Sequence, residues 1–104
     1  MKAVKVQYTV KASYAATNKA NIQKVMADLR ALHNPGIRYS AFVLDDGKTF
    51  VHIALYPDQA TADIVANLPA FQDFRGQLQG SQPEAPPQAE DLTFVGSAFE
   101  IFGD

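Results

Sequence analysis

Two histidines and four tyrosines carry most of the proton chemistry open to this chain. His52 stands inside the apolar run Phe50-Val51-His52-Ile53-Ala54-Leu55-Tyr56. An imidazole titrates near neutrality, so in a pocket it can take a proton from a phenolic substrate as a general base. A hydrogen-bonded histidine inside a sheet or a subunit interface is the competing role for the same residue. Tyr8, Tyr39 and Tyr56 each carry a hydroxyl on an apolar body, which suits a wall that orients a ligand and suits a buried seam equally well. Phe71 and Phe74, three apart, share a helix face, where they line a pocket between helix and sheet or fill the core. His33 falls in the last turn of a helix, near carbonyls that favour a cationic ring. Arg38, near a strand start, offers an anion contact or a surface charge pair.

Other chemistries are excluded by composition. The absence of cysteine removes disulfides, thiolate zinc sites, iron–sulfur clusters and a cysteine nucleophile. Two histidines far apart, among scattered carboxylates, give no metal-ligand spacing, so no metal is expected. Phosphate-cradling glycine runs and a Gly-x-Ser-x-Gly elbow are missing, and no cofactor is expected. A formal net charge of −2 argues against nucleic acid as a partner. It conceals a division: up to Lys48 eight basic residues face three acidic ones, a balance of +5, whereas from Thr49 onward Arg75 stands against eight acids, a balance of −7. Lys5, Gln7, Thr9 and Lys11 interrupt the first apolar segment, and no run approaches bilayer length, so a cytoplasmic protein with no membrane role is expected.

The elements that must position these side chains follow from periodicity. Val4, Val6, Tyr8, Val10 and Ala12 alternate with polar residues over 3–12, which predicts a strand. Thr17 or Asn18 can cap a helix carrying Ile22, Val25, Met26, Leu29 and Leu32 inward, stopped at His33-Asn34-Pro35-Gly36. Strands over 37–45 and 48–56 flank Asp46-Gly47, the signature of a two-residue type I′ turn. That turn sets Val43 opposite Phe50, Ala41 opposite His52 and Tyr39 opposite Ala54. Tyr39, Ala41, Val43, Phe50, His52, Ala54 and Tyr56 then share one side. The other, with Phe42, Leu44, Val51, Ile53 and Leu55, is also apolar, so a second subunit is expected to cover it. Asp58 caps a second helix to about Leu68, with Ile64, Val65 and Leu68 inward, and Pro69 opens a further helical piece bearing Phe71, Phe74 and Leu78. Residues 80–91 read as a Pro-rich loop within a single domain spanning 1–104, and 92–102 as the last strand. The order β-α-β, β-α-β predicts an α+β, ferredoxin-like split βαβ fold with a four-stranded antiparallel sheet. The charge boundary falls between its halves, so Lys19, Lys24 and Arg30 are expected to face Asp58, Asp63 and Asp73 within or between subunits.

This layout, with Val4-Lys5-Val6-Gln7-Tyr8-Thr9-Val10, Pro35-Gly36-Ile37, the run Phe50 to Tyr56, and Leu68-Pro69-Ala70-Phe71-Gln72-Asp73-Phe74, resembles the dimeric α+β barrel superfamily, in its antibiotic-biosynthesis monooxygenase branch. The resemblance implies a homodimer whose two sheets pair into a barrel, with a pocket between sheet and helices in each subunit. It also implies a small-molecule ligand. Cofactor-free oxygenases of aromatic polyketides belong to that superfamily, as do haem-degrading enzymes, which use a tryptophan that this chain lacks. One expectation is therefore a cofactor-independent monooxygenase-like enzyme acting on an aromatic or enolisable substrate, with His52 as catalytic base and Tyr8, Tyr39, Tyr56, Phe71 and Phe74 around the ligand. The other is a non-catalytic homodimeric binding or interaction domain in which the same residues serve packing.

Overall fold

A computed structural model describes residues 1–103. Strands β1 (Lys2–Thr9), β2 (Arg38–Val43), β3 (Thr49–Tyr56) and β4 (Ala85–Leu92) form one sheet in the order β2-β3-β1-β4. Every neighbouring pair is antiparallel. Helices α1 (Ala15–Ala31), α2 (Gln59–Ala66) and α3 (Pro69–Gly80) complete the split βαβ, ferredoxin-like α+β fold expected from the element order. No helix of the described residues is long and apolar enough to cross a membrane.

The core lies between the helices and one sheet face. Ile22, Val25 and Leu29 of α1, Ala62 and Val65 of α2, and Phe74 and Leu78 of α3 are buried with Tyr8, Phe50, Ala54 and Tyr56 of the sheet. Asn21 Nδ2 donates to Gln77 Oε1 at 2.9 Å, tying α1 to α3. Two positions expected inside lie outside: Leu32 sits past the end of α1, and Ile64 is exposed on α2, where Ala62 takes the inward place three residues before Val65. Asp58 caps α2 as expected, its carboxylate accepting from Thr61 N at 2.9 Å, and Pro69 opens α3.

Helix α1 begins earlier than Thr17 or Asn18. A single 3-10 turn, Ala12–Tyr14, leads into it, so Asn18 is inside the helix and fully buried. The helix ends at Ala31, which places His33 beyond its last turn, in the left-handed region at φ 50°.

The β2–β3 register is the one the hairpin predicts, with Tyr39 opposite Ala54, Ala41 opposite His52 and Val43 opposite Phe50. The turn is different. Leu44 N donates to Thr49 O and Gly47 N to Leu44 O, leaving a four-residue loop in which Gly47, at φ 75°, has positive φ but Asp46 does not. A type I′ turn needs both. Both loops are centred on the same peptide bond, so the register survives. The Asp46 carboxylate accepts from Lys48 N and Thr49 N, which favours the longer loop.

The largest departure concerns the last strand. Residues 85–92 pair with β1, although Pro86 and Pro87 lie among them, and 93–103 are irregular. Prolines are tolerated here for two reasons. Strand β4 is at the sheet edge, and its ladder shifts between the Gln7–Gln88 and Thr9–Ala85 pairs, leaving an extra residue at the diproline. The alternating apolar residues after Leu92 find no strand to pair with. Ile101 is buried and its carbonyl accepts from Arg38 Nε, while Val95 is 97% and Phe99 71% exposed. Strand β4 is exposed along its whole length.

Charge pairing also differs from expectation. The ion pairs join Lys2 to Asp91, Lys5 to Glu90 and Lys48 to Glu84. Among the described residues none joins Lys19, Lys24 or Arg30 to Asp58, Asp63 or Asp73 within the chain. Within the chain the basic and acidic halves meet along β1 and β4 and, through Lys48 and Glu84, where the chain enters β3 and β4.

Phe50, 2% exposed and stacked on Tyr8 at 5.6 Å between ring centroids, is central to this core. Phe50→Ala is expected to cost about 3–5 kcal/mol in urea unfolding, the range for deleting a buried phenylalanine.

Candidate functional site

His52 occupies the middle of β3, flanked by β1 and β2, with its side chain toward the helices. Val6 stands opposite it on β1 and Ala41 on β2, both small enough to leave room for larger diagonal neighbours. Those neighbours are tyrosines. Tyr8, paired with Phe50, reaches His52 Nε2 at 2.8 Å, and Tyr39, paired with Ala54, reaches Nδ1 at 2.7 Å. Asn18 Nδ2 donates to the Tyr8 hydroxyl at 2.9 Å, extending the chain of hydrogen bonds into α1.

Aromatic rings enclose this network. Phe74 stacks on His52 at 5.8 Å, and Phe71 stands edge-on to Tyr39 at 5.8 Å. The Arg75 guanidinium lies over Phe71, 5.1 Å from its centroid, holding that ring by a cation–π contact. His52 is 5% exposed. Burial without a carboxylate partner pushes its imidazole down to about 4, and the same loss of water pushes the Tyr8 and Tyr39 hydroxyls above their usual range. At neutral pH the whole network is uncharged.

The direction of the hydrogen bonds follows from counting donors. A neutral imidazole donates from one nitrogen and accepts at the other. If Tyr8 donates to Nε2, then Nδ1–H donates to Tyr39, and Asn18 donates to Tyr8. The cost is one buried carbonyl, Asn18 Oδ1, which has no partner, and the Tyr39 hydroxyl proton, which is left without an acceptor among the described residues. Reversing the chain turns the Asn18 amide over and strands its NH₂ group instead. Reversal strands both protons of an amide at a fully buried position, whereas this direction strands one hydroxyl proton on the half-buried Tyr39, so the chain runs Asn18 to Tyr8 to His52 to Tyr39. The Tyr39 proton is then uncommitted.

Ile22, Val25, Met26, Tyr39, His52, Phe71 and Phe74 surround a space too thin to admit a water molecule. An aromatic substrate has no room against His52 in this arrangement. Outside it lies an open cleft of about 670 Å³ between the end of α1 and the start of β2. Tyr39 and Met26 belong to both, forming the partition.

Of the residues singled out in the sequence, His52, Tyr8, Tyr39, Phe71 and Phe74 come together. Tyr56 does not join them: it is buried in the core, its hydroxyl pushed up to about 12 by burial, outside the hydrogen-bonded chain. His33 and Arg38 border the outer cleft. Asn18 escapes sequence reasoning because a polar residue near a helix start reads as a cap. No group of three or more metal-ligating side chains occurs among the described residues.

No family model and no curated protein matches the sequence. Solved structures do match the fold. An antibiotic biosynthesis monooxygenase superposes with a TM-score of 0.79 at 19% identity, over 92% of this chain and all of the other. Rv0793 from Mycobacterium tuberculosis gives 0.78 at 19%, over 94% and 98% of the two chains. SnoaB, a cofactor-independent oxygenase from Streptomyces nogalater, gives 0.71 at 17%, over 95% and 97%. The resemblance to the antibiotic-biosynthesis monooxygenase branch is thus borne out as a shared fold.

Two outcomes test the site. Unfolded, the His52 ring titrates near 6.5, whereas burial holds it near 4 in the folded chain. Above pH 6.5 the ring is neutral in both states and contributes nothing. Between 6.5 and 4 only the unfolded chain takes up the proton, so stability falls by about 3 kcal/mol across that window, measured by urea unfolding at fixed pH. Tyr8→Phe leaves both Nε2 and the Asn18 amide without a partner and is expected to cost about 1–3 kcal/mol at pH 7.

Proposed function

We propose that the chain is a homodimeric, cofactor-independent monooxygenase-like enzyme that binds an aromatic or enolisable substrate and favours its anionic form. A phenolate or enolate is electron-rich enough to reduce dioxygen directly, so stabilising that anion is the protein's task. One observation carries the reading: a dry hydrogen-bonded chain, Asn18–Tyr8–His52–Tyr39, that ends at Tyr39, a residue that also borders an open cleft. The fold shared with SnoaB, a cofactor-independent oxygenase, supports it.

In this reading the substrate proton passes to water in the open cleft and Tyr39 is the catalytic residue, its O–H donating to the oxyanion left behind; dioxygen is the oxidant, one of its atoms becoming a carbonyl of the product and the other leaving as water. His52 does not meet the substrate. It acts as a positioning residue, its Nδ1–H donating to the Tyr39 oxygen and aiming that hydroxyl outward. An imidazole held near 4 is a poor base for a phenol, which favours this division of labour over direct proton abstraction. The substrate's reacting oxygen reaches Tyr39 when Met26 and Phe71 shift.

The filled space beside His52 favours a second reading, a non-catalytic homodimeric binding domain in which the network specifies the core. Oxygen uptake with a panel of phenols and hydroquinones separates the two. The enzyme reading expects uptake with at least one compound, reduced about 10²-fold or more by Tyr39→Phe, the magnitude typical of losing one oxyanion donor. No uptake across the panel, with the folded protein confirmed by circular dichroism, supports the second.

Both readings include the homodimer. Phe42, 55% exposed on the sheet face away from the helices, and Phe94, Val95 and Phe99, exposed on the tail after β4, are apolar residues that a second copy would cover. Gel filtration is expected to give about twice the 11.3 kDa chain mass at micromolar concentration; a monomer there would exclude a stable dimer.

A further inference from the structure

We infer that the outer cleft takes a small aromatic carboxylate, the negative group on its rim and the ring on its floor. This names the substrate class of the proposed enzyme, and its link to Tyr39 rests on that reading. Arg30, His33 and Arg38 border the cleft, and Met26, Ile37 and Tyr39 supply apolar surface. No Asp or Glu lines it. Farther along the groove between α1 and β2 is a smaller recess of about 170 Å³, bordered by Lys19 and likewise free of lining carboxylates. Ile22 belongs to that recess and to the inner space beside His52, while Met26 and Tyr39 join the inner space to the cleft. The cleft therefore meets the network at Tyr39, and neither it nor the recess is lined by a carboxylate.

Neither arginine forms an ion pair among the described residues. Arg38 alternates with Tyr39 onto the sheet face away from the helices and its Nε donates to the Ile101 carbonyl of the tail, which leaves Arg30 as the guanidinium offered to a ligand. Arg30 is exposed in the last turn of α1, where nearby helix carbonyls favour a cation. A guanidinium fork matches the two oxygens of a carboxylate. The apolar floor distinguishes an organic anion from inorganic phosphate, which would leave Met26 and Ile37 uncovered. Tyr39, at the inner end, would then meet a hydroxyl on the same ring system.

Titration by calorimetry at pH 7 tests this with benzoate, benzamide and inorganic phosphate as probes. Benzoate is expected to bind at least tenfold more tightly than either of the others. The double variant Arg30→Gln/His33→Asn, altered only at exposed positions and with an asparagine that tolerates positive φ, is expected to lose at least tenfold in benzoate affinity. Benzamide or phosphate binding as well as benzoate, no binding of any probe, or an unaffected double variant would each overturn the inference. His52→Gln separates it from the enzyme reading, since benzoate affinity is expected to persist there. Benzoate selectivity without oxygen uptake by any phenol would leave the anion site standing and remove the enzyme. Uptake that depends on Tyr39 without benzoate selectivity would do the reverse.

Discussion

A histidine placed where water cannot reach must find a protein partner for each ring nitrogen, and His52 finds two phenols. That constraint organises the sheet around it. The ring needs neighbours on both sides, so β3 lies between β1 and β2, and the two tyrosines approach from opposite diagonals with Val6 and Ala41 keeping the direct positions small. A one-residue slip of β3 would carry His52 to the other face and strand both hydroxyls, so the network specifies the register as much as the apolar residues do. It also reaches beyond the sheet, because Tyr8 requires Asn18 and thereby fixes which turn of α1 lies over β1.

Direction gives the network its chemical meaning. A buried carbonyl without a partner at Asn18 is the less costly orphan, and accepting it makes every bond point from the helix toward Tyr39. The end of the chain is then a donor on Tyr39, a residue shared by the inner space and the cleft. A donor suits the binding of an anion, and the basic rim of Arg30, His33 and Arg38 suits it too. Two features with no residue in common, one in the dry core and one at the surface, thus favour the same ligand charge.

Much of this was legible in the residues because periodicity and turn chemistry are local. Alternation in 50–56 and the Asp-Gly dipeptide place Tyr39 diagonal to His52 before any coordinates are known, even though the loop proved to hold four residues rather than two. What stayed hidden depends on distant partners. Asn18 is polar and near a helix start, so it reads as a cap; only the packing of α1 on β1 shows that it serves Tyr8. Pro86 and Pro87 argue against a strand, yet an edge position with a bulge accepts them. The apolar alternation after Leu92 has the pattern of a strand but pairs with neither sheet edge, and the tail instead returns to Arg38. Sequence reading likewise placed His52 among pocket residues without showing that Tyr39 stands between it and the cleft.

The direction of the chain is the claim on which the functional account rests, and it is measurable at a single side chain. Nitrogen-15 chemical shifts of the His52 ring, recorded near pH 7 on labelled protein, distinguish the two neutral tautomers. The account predicts a protonated Nδ1 donating to Tyr39 and an unprotonated Nε2 accepting from Tyr8. A protonated Nε2 with a bare Nδ1 would reverse every bond in the chain, make Tyr39 a donor to His52 rather than to a ligand, and contradict it.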